Sequence, residues 1–319
     1  MTAREGLAGI PIFVGTAGWQ YKDWSPQFYP PTGLKDADRL TYYAAHFTTV
    51  EVNSTYYTYL APSVAEGWLR KVEPNDEFRF LVKVHGDFTH AREFTPDSEN
   101  KMRALLSVLA RNERLGGVLV QFPYSFGFNE VNTAFVDSLA EVFGEFNPFF
   151  EVRHNSWHKP EARAFWNATG YPLCSIDQPT LGSALPFCAE HIGGVAYLRL
   201  HGRNESEWRK SIARFGESAP TSYDEQNQRY SYLYSPSEIA EFIQQLHSVA
   251  GGLKQVVVIL NNHPKGQAVA NAFEFMYMLG LMTSLIPDTT VTAYPRLAKI
   301  NDSLRKEGIE SDTRLRLFL

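Results

Sequence analysis

The stretch "VAYLRLHGRN" (residues 195–204) carries two patterns at once. Val195, Ala196, Leu198 and Leu200 give it the character of a β-strand, while Arg199, His201 and Arg203 recur at every second position. Alternate residues of a strand share a side, so these three basic side chains form one row. A half-buried strand shows one apolar side and one solvated side. A strand covered on both sides needs a reason to carry charge, and the rest of the chain supplies one.

Outward from this stretch, strand-like and helix-like segments alternate. "IFVGTAG" (12–18) precedes a helical pattern at 36–47, "TVEVNST" (49–55) one at 63–72, and "FRFLVKVHG" (78–86) one at 100–113. "GVLVQFP" (117–123) precedes 129–144, and "PFFEVRH" (148–154) precedes 159–170. "PLCSIDQ" (172–178) is followed by an irregular region without a clear helix. "VAYLRLHG" (195–202) leads through a long loop to 235–251, and "KQVVVILNNH" (254–263) precedes 266–280. Strand–helix alternation implies right-handed crossovers and a parallel sheet. Eight strands without a midpoint break predict an α/β protein built as a single (β/α)8 barrel of the TIM type. One domain is expected over residues 1–319, with 287–319 peripheral.

The chain has 319 residues, 44% of them hydrophobic, which suffices for one large core. A formal charge of −5 gives no global basic field of the kind that advertises nucleic-acid binding, leaving only local patches. Cys174 and Cys188 match no metal or redox spacing and are expected as reduced thiols of a cytoplasmic protein. The beginning "MTAREGLAGIPIF" lacks a signal-peptide run, and no segment has the length and apolarity of a membrane span. A membrane is therefore not expected as a partner, and a monomer or weakly associating barrel is.

In such a barrel the loops after the strands gather at the C-terminal face, where active sites sit. Those loops are long here, at 19–35, 86–99 and 203–234, whereas the returns at 47–49 and 170–172 are short. The 203–234 segment after strand seven is predicted to form a lid.

The polar row of strand seven recurs on its neighbours. Glu51 and Asn53 stand on strand two, Lys83 and His85 on strand three, and Gln121 on strand four. Strand five carries Glu151 and Arg153, strand six Asp177, and strand eight Asn261 and His263. The opposite parity holds Val50, Val52, Val82, Val84, Phe150, Val152, Ile176, Leu198 and Leu200. The apolar set must pack the helices, so the polar set is predicted to line the lumen. Arg199 should lie deep, His201 at the rim and Arg203 at the entry to the lid. An unpaired buried charge is costly, so these groups pair either with each other, as a lattice filling the barrel, or with a ligand.

The segments "VGTAGWQYKDWSPQFYP", "FTTVEVNSTYY", "VQFP", "FEVRHNSW", "YLRLHGRN" and "ILNNH" together resemble the domain-of-unknown-function 72 family (YecE-like). The resemblance runs in order over about residues 12–275. It implies a TIM-barrel-type fold, in agreement with the strand count, and no particular reaction. Its motifs fall on Gly18 and Trp19, Glu51 and Asn53, Gln121, Glu151 and Arg153, Arg199 and His201, and Asn261 and Asn262.

Three functions fit the row. In the first, Lys83, Arg153, Arg199 and Arg203 bind a small ligand bearing phosphate or carboxylate, a sugar derivative included, with arginine giving planar bidentate contacts. Trp19, Asn53, Gln121, Asn261 and Asn262 complete the pocket. Glu51 and Glu151 then serve as acid and base for hydrolytic or isomerase-like chemistry, with Asp177 orienting His201. In the second, Glu51, Glu151, Asp177, His201 and His263 hold a divalent metal for hydrolysis. Against it, no HxH or HExxH pair concentrates the ligands, and four basic residues oppose a cation; no other cofactor is expected. In the third, aromatic and basic residues of the mouth loops bind nucleic acid, with or without cleaving it, as "WQYKDWSPQFYP" and "RHNSWH" suggest.

Overall fold

The computed structural model describes residues 7, 9–182, 184–213 and 227–312. Its strands are β1 (Ile12–Ala17), β2 (Thr49–Val52), β3 (Arg79–Lys83), β4 (Leu115–Gln121), β5 (Pro148–Glu151), β6 (Cys174–Asp177), β7 (Val195–Leu200) and β8 (Gln255–Leu260). They pair in parallel in the order β5-β4-β3-β2-β1-β8-β7-β6. The two ends meet through a parallel bridge between Phe150 and Leu173, where the Phe150 N–H donates to the Pro172 carbonyl at 2.9 Å. This is the (β/α)8 arrangement the alternation predicts.

The helices are α1 (Arg39–Ala44), α2 (Pro62–Val72), α3 (Pro96–Arg111), α4 (Glu130–Phe143), α5 (Pro160–Thr169), α6 (Glu205–Ala213), α7 (Pro236–Ser248), α8 (Gln267–Met278), α9 (Asp288–Ala293) and α10 (Ala298–Lys306). Among the described residues none lies between β6 and β7. Their starts are written in local chemistry. Proline opens α2, α3, α5 and α7, where its missing N–H costs nothing. Thr95, Asn129 and Ser235 accept the N–H groups of Ser98, Asn132 and Glu238. Ser235 and Glu238 cap reciprocally. No helix among the described residues is long and apolar enough to cross a membrane.

Strand register assigns each side chain a side, because paired residues of a parallel sheet project together. Glu51 pairs with Leu81, Lys83 with Leu119, Gln121 with Glu151, and Arg199 with Ile259. Below the charged layer the lumen is filled by Leu81, Leu119, Phe149, Tyr197, Val257 and Ile259, all buried. Phe149 and Tyr197 meet edge-on across it, with ring centroids 5.0 Å apart. Val50, Val52, Val82, Val84, Phe150, Val152, Leu198 and Leu200 are buried on the opposite parity.

β6 departs from the expected parity. Ile176 is in register with Arg199 and Asp177 with Leu200, so Ile176 faces the lumen and Asp177 the helix layer. A one-residue offset flips every side chain of a strand, and "CSID" is too short and mixed to fix its own phase. Gly15 is set by sterics instead: a Cβ there would lie 2.1 Å from the Thr49 carbonyl oxygen, so β1 and β2 approach closely only over glycine.

The C-terminal helices fold back on the barrel. The Thr289 hydroxyl donates to the Phe28 carbonyl at 2.9 Å, Arg296 pairs with Glu274 at 2.7 Å, and Leu297 and Leu304 are buried.

Candidate functional site

At the C-terminal end of the lumen, Arg199 is held by two carboxylates. Its Nε donates to Glu51 Oε2 at 2.8 Å and its Nη2 to Glu51 Oε1 at 2.6 Å, while Nη1 donates to Glu151 Oε2. The Tyr197 hydroxyl donates to Glu51 Oε2 at 2.6 Å, and Arg153 Nε to Glu151 Oε1 at 2.7 Å. Arg199, Glu51 and Glu151 are all buried. Two carboxylates against two guanidiniums balance the charge, which is what burial of such a cluster demands. Burial pushes the Glu151 carboxyl up, but Arg199 and Arg153 more than offset this and hold it well below the usual carboxylate range. Both oxygens of each glutamate accept at least one bond. The pair expected as acid and base is thus arranged to hold guanidiniums.

His201, expected at the rim, is fully buried. The rings of Trp208 and Tyr230 cover it, with centroids 6.5 and 6.1 Å away. Asn261 Nδ2 lies 2.8 Å from His201 Nδ1. His201 Nε2 lies 3.4 Å from Arg153 Nη2 and 3.8 Å from Glu151 Oε1, so both ring nitrogens face side-chain donors. Burial drives the imidazole pKa down to about 3, so the ring is neutral at pH 7. Asn261, rather than Asp177, orients it.

Asp177, Arg203 and Asn262 lie outside the lumen. Asp177 accepts from Arg203 Nε at 3.0 Å, Arg203 Nη2 at 2.8 Å and the Tyr234 hydroxyl at 2.6 Å. Arg203 Nη1 reaches Glu238 of α7 at 3.0 Å, and its guanidinium lies 5.3 Å from the Phe242 ring centroid. Burial raises the Asp177 pKa against the opposing pull of Arg203 and Tyr234. Asn262 donates to the Tyr232 carbonyl and to Asn271 Oδ1, each at 2.8 Å. These groups fasten the loop after β7 to α7 and α8. Arg203 leaves the strand's row because the chain turns at Gly202, where φ is +87°. Of the expected lid, residues 214–226 lie outside the described residues.

Above the charged layer opens a cleft of about 570 Å³, within the usual range for small-molecule sites. Lys83, Gln121, Arg153 and Arg199 line it, with Asn53 and Asn261 beside them and Trp19, Tyr57 and Tyr230 around the mouth. Lys83 is half-buried; its Nζ donates to Gln121 Oε1 at 2.8 Å and lies 4.1 Å from the Tyr56 ring centroid. Burial, followed by the Arg199 and Arg153 charges, lowers its pKa to about 7 despite Glu151 and Glu51. Asn53 Oδ1 and His263 Nδ1 are buried without a hydrogen-bond partner, two polar atoms a ligand can satisfy. Among the described residues no three His, Cys, Asp or Glu side chains gather as a metal ion requires.

Tyr56, Tyr57 and Tyr197 escape the sequence reading. Tyr197 precedes Arg199 by two and so shares its row; the parity itself was the signal. Tyr57, 78% exposed, had no signal beyond its place after strand two.

Fold and cleft together define a TIM-barrel protein whose charged groups gather at the C-terminal mouth. The family model described as "Protein of unknown function DUF72" matches residues 13–295, and the chain belongs to that family. It is 27% identical to the UPF0759 protein YunF of Bacillus subtilis over 282 residues, covering 85% of this chain and 95% of YunF. It is 32% identical to the UPF0759 protein YecE of Escherichia coli K12 over 147 residues, 45% of this chain and 48% of YecE. The crystal structure of a DUF72 family protein (TM1631) from Thermotoga maritima superposes with a TM-score of 0.72 at 30% identity, covering 85% of this chain and 99% of that one.

Proposed function

We propose that the barrel binds a small anion, a phosphate or carboxylate carried on a ring or other flat body, in the cleft at its C-terminal mouth. The observation that carries this reading is the position of Arg153 and Lys83 on that cleft, directly above two carboxylates that Arg199 and Arg153 together balance. An entering anion meets the guanidinium edge of Arg153 and, below about pH 7, the Lys83 ammonium, with no uncompensated acid beneath them. Arg153 has Nε committed to Glu151 and Nη2 3.4 Å from His201 Nε2, and the guanidinium edge on the cleft offers N–H donors that suit carboxylate and phosphate. Asn53 and Asn261 add neutral polar contacts, while Trp19, Tyr57 and Tyr230 give the flat body apolar surface. Glu51 and Glu151 hold the two guanidiniums in place, and His201 sits beneath as a neutral ring. Acid–base work in this reading falls to Lys83, whose pKa lies near neutrality.

Titration calorimetry with inorganic phosphate and with simple carboxylates tests the reading. Arg153→Ala is expected to weaken binding at least about tenfold, the equivalent of about 1.4 kcal/mol. Unchanged affinity in that variant sinks the proposal. Tight, steeply salt-dependent binding of single-stranded DNA or RNA, with none of phosphate, would favour nucleic acid instead.

A further inference from the structure

We infer that Lys83 is a nucleophilic amine that forms an imine with a carboxylate-bearing carbonyl compound, such as a 2-oxo acid, seated in the cleft. This rests on the anion-binding reading and adds a covalent step to it. Lys83 ends β3 at the C-terminal mouth and lines the cleft with Arg153 and Arg199. Among the described residues no carboxylate lies within ion-pair distance of its Nζ. Among the described residues its one side-chain hydrogen-bond acceptor is the neutral amide oxygen of Gln121. A 2-oxo acid that places its carboxylate on Arg153 brings its carbonyl carbon next to the clamped group, toward the cleft floor that Lys83 shares.

The charged and titratable groups facing Lys83 come from several elements. Arg199 and Arg153 disfavour the ammonium, Glu151 and Glu51 favour it, and the Tyr56 ring attracts it, while His90 after β3 faces it with a pKa that burial and the Lys83 charge lower. Burial and the two guanidiniums prevail, and a pKa of about 7 leaves much of the lysine as free amine at neutral pH. Desolvation and adjacent cations are the standard means of activating a lysine for Schiff-base chemistry. The chemistry balances without an oxidant. The amine lone pair adds to the carbonyl carbon, both amine protons pass to the former carbonyl oxygen, and that oxygen leaves as water, giving C=N.

The test is reductive trapping. The intact protein is incubated with pyruvate and sodium cyanoborohydride, which supplies the hydride that fixes the imine as a secondary amine, and labelled peptides are mapped. The expected result is one preferred label, on Lys83, lost in Lys83→Arg, with a rate that rises through about pH 7. Arg153→Ala should slow labelling by pyruvate at least tenfold while leaving labelling by acetaldehyde, which has no carboxylate, within about twofold. Mapping the wild-type protein decides the matter even if a variant fails to fold. Label spread over surface lysines, or absent from Lys83 while calorimetry shows Arg153-dependent binding of pyruvate, overturns the imine and leaves the anion site standing. Label on Lys83 at equal rates with and without Arg153 overturns the carboxylate-directed proposal together with the anion reading.

Discussion

Arg199 on β7 and Glu51 on β2 lie 148 residues apart in the chain yet join in a two-point hydrogen-bonded ion pair, at 2.8 and 2.6 Å, in the interior of the barrel. With Glu151 on the other side of the guanidinium, the pair ties opposite walls of the lumen together. Breaking one partner of a buried pair leaves a bare charge and costs about 3–5 kcal/mol. Glu51→Leu is therefore expected to lower the unfolding free energy by about that amount in urea denaturation. Tyr197→Phe, which removes only a bond to the charged carboxylate, should cost about 1.5–3 kcal/mol. A loss under about 1 kcal/mol for Glu51→Leu would show that the pair is not holding the walls.

Acid should destabilise the fold through its buried histidines before it reaches the carboxylates. His201 and His263 are both held near a pKa of about 3 by burial, with Arg229 adding to the effect on His263. An unfolded histidine titrates near about 6.5. Below that pH the unfolded chain takes up protons that the folded one refuses, so stability falls from about pH 6.5 down to about 3. The slope is about 1.4 kcal/mol per pH unit for each ring. Glu151, whose folded pKa is depressed, adds its loss only below its unfolded pKa of about 4.3. Urea denaturation at pH 7.5, 6 and 5 measures this. His263→Phe keeps the stack on Tyr21, whose ring lies 4.3 Å away, and should reduce the slope. A profile flat between pH 7 and 5 contradicts the assignment.

Anion affinity should change with pH in the opposite sense to amine reactivity. Lys83 carries its charge below about pH 7, so affinity for acetate, which stays ionised across this range, should fall as pH rises through that value. Binding near neutrality should also draw a proton from the buffer. Calorimetry in two buffers of different ionisation enthalpy detects that uptake, and Lys83→Met should abolish it. Uptake unchanged in the variant would assign the proton to another group.

Asp177 separates scaffold from site. It is tied to Arg203 and Tyr234 on the helix side of β6. Asp177→Asn should therefore lower stability by about 1.5–3 kcal/mol, the worth of a hydrogen bond to a charged group. Phosphate affinity should stay within about twofold. A tenfold loss of affinity with the fold intact would return Asp177 to the ligand site.

Gly15→Ala tests the closeness of β1 and β2. With the added methyl 2.1 Å from the Thr49 carbonyl oxygen, the strands must part. Overpacking of this kind costs about 1–3 kcal/mol, measurable as a lowered denaturation midpoint. A neutral effect would mean that the strands can shift apart freely.

How much of this was legible beforehand divides along physical lines. The alternation of segments, with polar residues on one parity and Val, Leu and Phe on the other, determined by itself that the strands close into a barrel with charge inside. That held because period-two side selection is local: it follows from the pleat of each strand. Glu51, Lys83, Gln121, Glu151, Arg153, Arg199, His201 and Asn261 all lie where their parity put them. Depth and partnership are not local, and only the tertiary structure decided them. The stagger of the strands placed Arg199 between two glutamates, and the loop after β7 buried His201 beneath Trp208 and Tyr230. A one-residue phase on β6 and the turn at Gly202 sent Asp177 and Arg203 into the helix layer. The lowered pKa of Lys83 belongs to the same class, since it sums burial with charges on β2, β5 and β7 that the sequence keeps far apart.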